Sequence, residues 1–418
     1  MKAGAAKSFS GAVMPLAVDP RKPLNLGSQD FADNKYGYYA YLRDNMPVAR
    51  GRVATLKVHL LSRYEDCMAL VKDPRFGRNR SHITGGSRLP FPLPKSLQML
   101  ALSMIVEDDP EHRRLRTLVQ KAFAPKSLVA MQADMERMAH GLLDDVDRSV
   151  VVDLQQAYAL HIPTAVIAGL VGVDQEHMPR FQNSLRMLNT GFTGWSIFRT
   201  LVWDLRKSVE FVRELIASKR RRPGEDLLTQ LIEAEEDGDR LSEEELISMV
   251  FLLIVAGYET TVHLISNAVI TLLQHPQQLA RLRAEPALMG AAVEEVLRFL
   301  PPVHGTKMNY AREDLRIAGA DIAKGAMVMP LLASANRDAR MFVDPDVFDI
   351  ERANNKHLSF SQGNHFCLGA FLARMETKVA LSVLLQRSPD LRLAVPADTL
   401  QVAAMPGWHR YKAVPVWL

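Results

Sequence analysis

Residues 241–275 constrain the fold most, because they predict one helix far longer than the average helix of a globular protein. Ser242 and Glu245 form a capping box at its start. A helix of about 33 residues spans roughly 50 Å, which is enough to cross a whole domain. Its apolar part is soon interrupted by Glu259 and His263, so the segment suits a buried helix better than a bilayer span.

The rest of the chain is dominated by helical patterns with a few short strands. Apolar residues recur at three- and four-residue spacing in 128–145, 208–219, 242–274 and 370–385. Strand-like pieces lie at 52–60, 315–322, 326–332 and 413–418. We therefore predict a mainly α fold with small β-sheets, with a flexible arm over residues 1–20 and one domain over residues 21–418.

Two segments depart from the helical pattern. Residues 80–104 contain Gly85-Gly86 and prolines at 90, 92 and 94, a spacing that forbids a helix and a central strand. Residues 189–196 contain two glycines between helices. Composition alone is compatible both with plain surface loops and with lids over a binding site.

Composition excludes several classes of protein. The formal net charge of +4 over 418 residues does not indicate a nucleic-acid binder, and the one basic run, residues 219–222, suits a helix end. Two cysteines exclude a disulfide framework and a four-cysteine zinc site. We expect a protein of the reducing cytoplasm without a membrane anchor.

Cys367 stands where a sulfur ligand is chemically useful. It lies just before a helix that begins near Leu368, and the positive end of a helix favours a thiolate. Gly363 and Gly369 let the backbone approach a neighbouring group closely. A thiolate on haem iron donates electron density that favours O–O cleavage. Cys67 lies in a helical pattern and suits an inert buried thiol.

The segment around Cys367 resembles the haem-binding signature of the cytochrome P-450 family. The matching positions are Phe360, Gly363, His365, Cys367, Gly369 and the continuation Leu372-Ala373-Arg374. The resemblance implies a single triangular helical domain, with haem b between the long central helix and the helix after Cys367, the iron ligand. Ser361 departs from the pattern, because bacterial members commonly have glycine there.

The resemblance also assigns roles within the long helix and around the cofactor. Ala256-Gly257-Tyr258-Glu259-Thr260-Thr261 is similar to the family's oxygen-activation motif. There Ala256 and Gly257 would form a groove for O2, Thr260 would stabilise the oxygen being activated, and Glu259 would relay solvent protons. The cofactor-binding positions would be His112, Arg116, Ala256, Gly257, Lys307, Asn309, Phe360, Gly363, His365 and Gly369.

The same resemblance also predicts the roles of two further groups of polar and charged residues. Glu295 and Arg298 resemble the family's Glu-x-x-Arg pair, with Arg352 as the third member of a structural ion cluster. Asn309 stands where many relatives have an arginine that binds a haem propionate, and asparagine supplies no charge. If the segment is a strand, Lys307 lies on the same face and could replace that charge, although it could equally face solvent.

By analogy with the family, the substrate pocket is mostly apolar. Its predicted lining is Leu89, Phe91, Leu188, Phe192, Val255, Ala256, His304, Gly305, Met405 and Trp408. Such a lining favours a lipophilic terpenoid, polyketide or fatty acyl compound, and His304 could add one polar contact.

The implied reaction is insertion of one oxygen atom from O2 into a lipophilic small molecule, by hydroxylation or epoxidation, as in secondary metabolism. Electrons would come from a separate ferredoxin and ferredoxin reductase, with NAD(P)H acting only indirectly, and we expect a monomer. The alternatives are oxidative coupling or desaturation, peroxide-driven oxidation, a non-catalytic haem sensor, and a cysteine hydrolase built on Cys367 and His365.

Overall fold

The long segment is one continuous helix in the computed structural model, Glu243–Gln274. Ser242 Oγ accepts from the N–H of Glu245, and the Glu245 carboxylate accepts from the N–H of Ser242. The predicted helix and its capping box are therefore confirmed. The structure describes residues 18–88, 90, 95–120, 123, 128–190, 205–236 and 239–418; most of the expected arm lies outside these ranges.

Helices make up most of the described chain. They are α1 (Gln29–Asp33), α2 (Lys35–Asn45), α3 (Tyr64–Leu70), α4 (Arg80–Thr84), α5 (Glu111–Gln120), α6 (Gln132–Asp144), α7 (His161–Leu170), α8 (Met178–Thr190), α9 (Leu205–Arg221), α10 (Leu227–Glu233), α11 (Glu243–Gln274), α12 (Pro276–Ala284), α13 (Met289–Phe299), α14 (Leu332–Ala335) and α15 (Ala370–Arg387). Short 3-10 turns occur at Lys95–Leu102, Met104–Val106, Pro286–Leu288, Gly363–His365 and Ala397–Thr399, and a π-helical turn at Gln155–Ala159.

The strands are short. They are β1 (Leu24–Asn25), β2 (Val48–Val53), β3 (Leu56–Leu61), β4 (Phe76–Gly77), β5 (Val152–Asp153), β6 (Glu235–Glu236), β7 (Asp239–Arg240), β8 (Asn309–Ala311), β9 (Leu315–Ile317), β10 (Ala320–Ile322), β11 (Met327–Pro330), β12 (Arg392–Leu393) and β13 (Pro415–Trp417). The largest sheet has the order β1-β2-β3-β11-β8-β4, and the smaller sheets pair β9 with β10, β6 with β7, and β12-β13-β5.

Helix α11 forms the centre of the core. It packs against α7, α9, α13 and α15 and against the turn Lys95–Leu102. Side chains such as Ile265 and Val269 are buried together with Leu381 and Leu384 of α15. By length and composition, α11 could cross a membrane. However, 67% of its most apolar 18-residue window is buried inside the protein. We therefore interpret α11 as a core helix.

Several predicted elements differ from those observed. Residues 52–60 and 315–322, each expected as one strand, are parts of the hairpins β2–β3 and β9–β10. Their turns use Ala54 and Ala318 at positive φ, and alanine is not a typical turn residue. Residues 80–104 contain α4 and two 3-10 turns, and the first of these begins only after the last proline, at Lys95.

Candidate active site

The loop before α15 holds Cys367 in a fixed position. Its backbone N–H donates to the Phe360 carbonyl oxygen at 2.9 Å, and the Phe366 N–H donates to Gly363 O at 3.0 Å. Gly363 has a φ of +71°, and a Cβ there would lie 2.7 Å from the carbonyl oxygen of Val71. Only glycine fits this position without a shift of the backbone, so Gly363 sets the approach of the loop to the chain after α3.

Cys367 is surrounded by protein but keeps accessible surface. Burial raises the pKa of its thiol, against the opposing effects of the Gly369 N–H and of the Arg116 and Arg374 charges. The helix end alone therefore does not produce the thiolate that the sequence suggested, because burial outweighs it. The side chain nevertheless keeps exposed surface, so a partner can reach it. A cation placed there would offset the cost of the thiolate.

The other cysteine has the inert environment that its helical position predicts. Cys67 is fully buried in α3, and its thiol donates to the carbonyl oxygen of Leu61 at 3.3 Å. Burial raises the pKa of this thiol strongly. Cys67 is therefore a poor metal ligand, which leaves Cys367 as the sulfur available for one.

Ser361, the departure from the family signature, adopts a left-handed backbone conformation with a φ of +60°. Its Oγ is buried without a hydrogen-bond partner among the described residues. The Ser361 N–H donates to Leu358 O at 2.7 Å, which holds the turn. The loop thus keeps the glycine-type conformation although the residue is serine, at a conformational cost.

Positively charged and imidazole groups gather beside the Cys367 loop. The rings of His112, on α5, and His365 lie 4.1 Å apart between centroids. Burial, together with the charges of Arg78, His112 and Arg116, lowers the pKa of His365 to about 2. Burial and the Arg78 charge lower the pKa of Lys307. The side chains of Arg116 and Lys307 make no ion pair within the described part of the chain.

This cluster has few acids of its own. Asp109 contacts His112 at 3.4 Å between Oδ1 and Nδ1, but it also binds Arg113 and Asn364. Lys307 resembles Cys367, since its amine is surrounded by protein while the side chain keeps exposed surface. A group carrying two carboxylates would satisfy these cations, and the donor set therefore fits a haem with its propionates.

The strand expected at Lys307 is absent. Strand β8 begins at Asn309, and Lys307 lies in a bend before it. Alternation along a strand therefore does not place these two side chains on one face. The Asn309 amide instead donates to the carbonyl oxygen of Lys307 at 3.3 Å.

The middle of α11 shows a local opening. Ala256 is exposed, whereas most residues along the helix are buried. The Thr260 hydroxyl donates to Ala256 O at 2.7 Å, and the Thr261 hydroxyl donates to Gly257 O at 3.3 Å. A Cβ on Gly257 would lie 2.7 Å from Ile167 Cδ1, so this glycine permits close packing on α7. Ala256 and Thr260 thus face an accessible surface, and Gly257 faces another helix.

Glu259 lies in a buried ion pair. Its carboxylate accepts from Arg410 Nη1, and it lies 3.9 Å from Nε2 of His263 on the next turn of α11. Burial raises the pKa of Glu259, and the Arg410 charge opposes that shift. In the described structure no hydrogen bond joins Glu259 to Thr260. The structure therefore brings Glu259 together with the C-terminal segment rather than with the neighbouring hydroxyl.

The predicted structural ion cluster is assembled. Arg298 donates to both carboxylate oxygens of Glu295, at 2.8 and 2.7 Å, and Arg352 Nε donates to the same carboxylate at 3.2 Å. Glu295 and Arg298 have no exposed surface. Remaining donors of Arg298 bind backbone carbonyls, including that of Asn336, so the cluster joins α13 to the chain before the Cys367 loop.

The predicted substrate pocket is only partly described. Leu89, Phe91 and Phe192 lie outside the described residues, as does the side chain of Leu188. Val255, Met405 and Trp408 are half-buried, and Gly305 packs close to Met329.

His304 does not lie on an open surface. It is completely buried, with Nδ1 3.1 Å from the Tyr39 hydroxyl and its ring stacked on His409 at 5.3 Å. Protein side chains therefore occupy both its edge and its face, which counts against the predicted contact between His304 and a substrate.

Sequence reasoning missed two charged residues. Arg78 is buried beside the cation cluster, and Arg410 is the partner of Glu259. Neither belongs to a local motif, because each meets its neighbours through contacts distant in sequence. Arg78 and Arg80 flank Asn79, but nothing local shows that one of these two arginines is buried.

Comparison with known proteins agrees with this geometry. A sequence profile of the cytochrome P450 family matches residues 87–388. The chain belongs to the cytochrome P450 family. Cytochrome P450 107B1 of Saccharopolyspora erythraea is 41% identical over 380 residues, which cover 89% of this chain and 92% of that protein.

Two solved P450 structures are also similar over most of their length. The cytochrome P450 PksS of the bacillaene polyketide synthase of Bacillus subtilis 168 has a TM-score of 0.87 at 34% identity, covering 94% of this chain and 99% of that chain. Myxobacterial cytochrome P450 CYP267B1, in complex with myristic acid, has a TM-score of 0.87 at 36% identity, covering 94% and 98%. The predicted fold class is confirmed.

Membership of the family establishes the enzyme class. The chain is a P450 monooxygenase that uses haem, and bacterial members receive electrons from redox partners. The cysteine hydrolase and the non-catalytic sensor have no support in this relationship.

Proposed function

We propose that Cys367 ligates the haem iron and that the enzyme hydroxylates or epoxidises a lipophilic small molecule. The observation that carries the proposal is the exposed side chain of Cys367, enclosed by protein near Arg116, a cation that makes no ion pair in the described part of the chain. Bound haem supplies the activation of O2 and the transfer of one oxygen atom. The other steps are the work of side chains of this chain.

His112, Arg116 and His365 would hold the propionates. Their donors lie on α5 and on the Cys367 loop, so binding of one cofactor would fix the two elements relative to each other. Phe360 would support the Cys367 loop, because its carbonyl oxygen accepts from the Cys367 N–H and the Arg374 guanidinium lies over its ring at 4.5 Å from the centroid. Gly369 leaves open space where a Cβ would be, which permits close approach of a flat group.

Thr260 and Glu259 would manage protons. The Thr260 hydroxyl donates to Ala256 O at rest and can rotate towards the accessible surface next to it. Burial raises the pKa of Glu259, which eases proton uptake, while Arg410 keeps the carboxylate oriented. We propose that protons reach the groove at Ala256 through these two residues.

The substrate would be apolar. Val255, Met405 and Trp408 keep accessible surface, and apolar surface of this kind is typical of ligand pockets. One similar structure contains myristic acid and another belongs to a polyketide synthase system. We propose a fatty acyl, polyketide or terpenoid compound as substrate.

The electron donor would be a separate ferredoxin that receives electrons from NAD(P)H through a ferredoxin reductase. A groove of about 380 Å³ lies below the Cys367 loop, and Lys356, Phe366 and Arg374 contribute to its lining. Lys72 is exposed beside Gly363. An acidic donor would match Lys72 and Lys356, whereas Arg374 is already paired with Glu294 in the same groove. We expect a cytoplasmic monomer that meets this donor only transiently.

Removal of the Thr260 hydroxyl tests the proton-handling part of the proposal. The Thr260→Ala protein should bind haem and substrate normally, but it should release several-fold more hydrogen peroxide per reductant consumed and form less product. The measurement is the ratio of product to consumed reductant, with peroxide quantified in parallel.

Thr261→Ala is the matched control, because Thr261 lies next in sequence, is buried and donates to the equivalent backbone carbonyl. It should keep the coupling of the unmodified protein. Equal coupling in the Thr260→Ala and unmodified proteins would remove Thr260 from the mechanism. Efficient turnover with peroxide alone in both would favour a peroxide-driven oxidation instead.

A further inference from the structure

The pairing of β4 with β8 brings two unlike residues close together. These strands are antiparallel, with Phe76 opposite Ala311 and Gly77 opposite Tyr310. Arg78 follows Gly77 in a bend just past the end of β4, and Asn309 precedes Tyr310 at the start of β8, so the two residues are neighbours at the end of this strand pair. Arg78 and Asn309 can therefore reach the same group.

The backbone at Arg78 is held firmly. Its N–H donates to Asp108 Oδ1 at 2.7 Å, and the N–H of Asn79 donates to the other oxygen of that carboxylate at 3.3 Å. A Cβ on Gly77 would lie 2.5 Å from Asp108 Oδ2, so the strand end can approach this acid only because residue 77 is glycine. The main-chain position from which the Arg78 side chain extends is thus held by Asp108.

The Arg78 side chain itself is left nearly unsatisfied. It is 7% exposed, its Nε has no hydrogen-bond partner, and one Nη1 contact to Ile105 O is long, at 3.4 Å. No ion pair to Arg78 occurs over the ranges that the structure describes. A guanidinium has five donors, and burying them without acceptors is costly, so this group is built to meet an acceptor.

The guanidinium acts on the same neighbours as the proposed propionate site. Burial, with a smaller contribution from the Arg78 charge, lowers the pKa values of Lys307 and His112. Burial lowers the pKa of Arg78 itself to about 10, so it remains a cation at neutral pH. Lys307 also lies in a bend, but its side chain is exposed, whereas that of Arg78 is buried.

We propose that Arg78 binds a haem propionate and replaces the cation that position 309 lacks. The positive charge would thus come from the residue that follows β4 instead of from β8, and it would act on the same propionate. This inference rests on the proposed haem site at Cys367. It does not depend on the roles of Thr260 or Glu259.

Haem retention and reduction potential test the inference in a two-by-two set of proteins: unmodified, Arg78→Met, Asn309→Arg and the double variant. Methionine keeps much of the length of the side chain and removes the charge. Transfer of haem to excess apomyoglobin should be roughly tenfold faster for Arg78→Met. Its reduction potential should fall, because a cation near the haem disfavours the ferric state.

The double variant should return both quantities close to those of the unmodified protein. Asn309→Arg alone should change haem loss less than twofold, because Arg78 already serves that carboxylate. Arg75→Met is the matched control, since Arg75 lies three residues away, is exposed and pairs with Asp73. It should leave both quantities unchanged.

Two results would overturn the inference. In the first, Arg78→Met loses haem at a rate within twofold of that of the unmodified protein, and its reduction potential is the same within error. The other is a slowing of haem loss by Asn309→Arg that is equal in the two backgrounds, which would make the positions independent. If Arg78→Met does not fold, Arg78→Lys should show the same dependence on Asn309→Arg in weaker form. Failure of the Cys367 assignment is distinguishable, because the thiolate carbonyl spectrum would then survive Cys367→Ala, whatever the Arg78 and Asn309 variants do to haem loss.

Discussion

At the scale of single residues, the Cys367 loop keeps a glycine conformation at a serine. Ser361 has a φ of +60° and a buried Oγ without a described partner. A non-glycine residue in this region costs on the order of 1–2 kcal/mol. The surrounding turn, fixed by the Leu358 carbonyl and by the Cys367 N–H bond to Phe360, holds the residue there.

Ser361→Gly should therefore stabilise the protein, by about 1 kcal/mol after allowance for the entropy of glycine in the unfolded chain. The urea midpoint of the holoprotein should rise while its carbonyl spectrum stays the same. Ser388→Gly is the control, because Ser388 also has a buried Oγ without a described partner but a φ of −129°. Ser388→Gly should lower the urea midpoint of the protein. A lower midpoint for Ser361→Gly would show that the loop is not strained at this residue.

At the scale of elements, the centre of α11 is tied to the C-terminal segment by one buried charge pair. Arg410 donates to Glu259, and both side chains are nearly buried. His263 lies on the next turn, and burial and the Arg410 charge lower its pKa to about 3, so it is neutral at pH 7. The pair therefore ties the part of α11 next to Ala256 to the C-terminal segment before β13, and it does so without a third charge.

Arg410→Met should destabilise by about 3–5 kcal/mol, because it leaves the Glu259 carboxylate buried and alone. The double variant Glu259→Gln/Arg410→Met should recover more than half of that loss, measured as the urea midpoint at pH 7. The exposed pair Arg281 and Glu351 provides the control. Removal of this exposed ion pair should lower the free energy of unfolding by less than about 1 kcal/mol. Strictly additive effects at Glu259 and Arg410 would show that the two charges do not interact.

At the scale of the whole molecule, the proposed haem site and the proposed donor surface both include residues of the Cys367 loop. The Lys72 side chain is exposed beside Gly363. The Lys356 side chain is exposed in the groove that Phe360 also lines. An acidic partner would approach Cys367 by the shortest path if it docked there. Long-range attraction between opposite charges is screened over about 8 Å at physiological ionic strength.

Reduction by an acidic ferredoxin should therefore slow severalfold as ionic strength rises from roughly 50 to 500 mM. Lys356→Gln and Lys72→Gln should slow it at low salt and reduce its salt dependence. Arg222→Gln should not, because Arg222 follows α9, which packs against α8, α10 and α11. A stopped-flow rate that is indifferent to salt would argue against electrostatic docking at this surface.

How much could be predicted depended on the distance along the chain over which each feature is encoded. The capping box of α11 and the close backbone approach at Gly363 depend on local sequence, and both could be predicted. The hairpin turns at Ala54 and Ala318 could not, because alanine carries no turn signal. Arg410 meets Glu259 across 151 residues, a contact that depends on the assembled fold.

The central claim is that Cys367 is the haem ligand, and the absorbance spectrum of the reduced carbonyl complex tests it most directly. The unmodified and Cys67→Ala proteins should show the spectrum of a thiolate-ligated haem, because Cys67 is buried and bonded to Leu61. Cys367→Ala should lose that spectrum even where haem is retained. A thiolate spectrum in Cys367→Ala, or its loss in Cys67→Ala alone, would contradict the account.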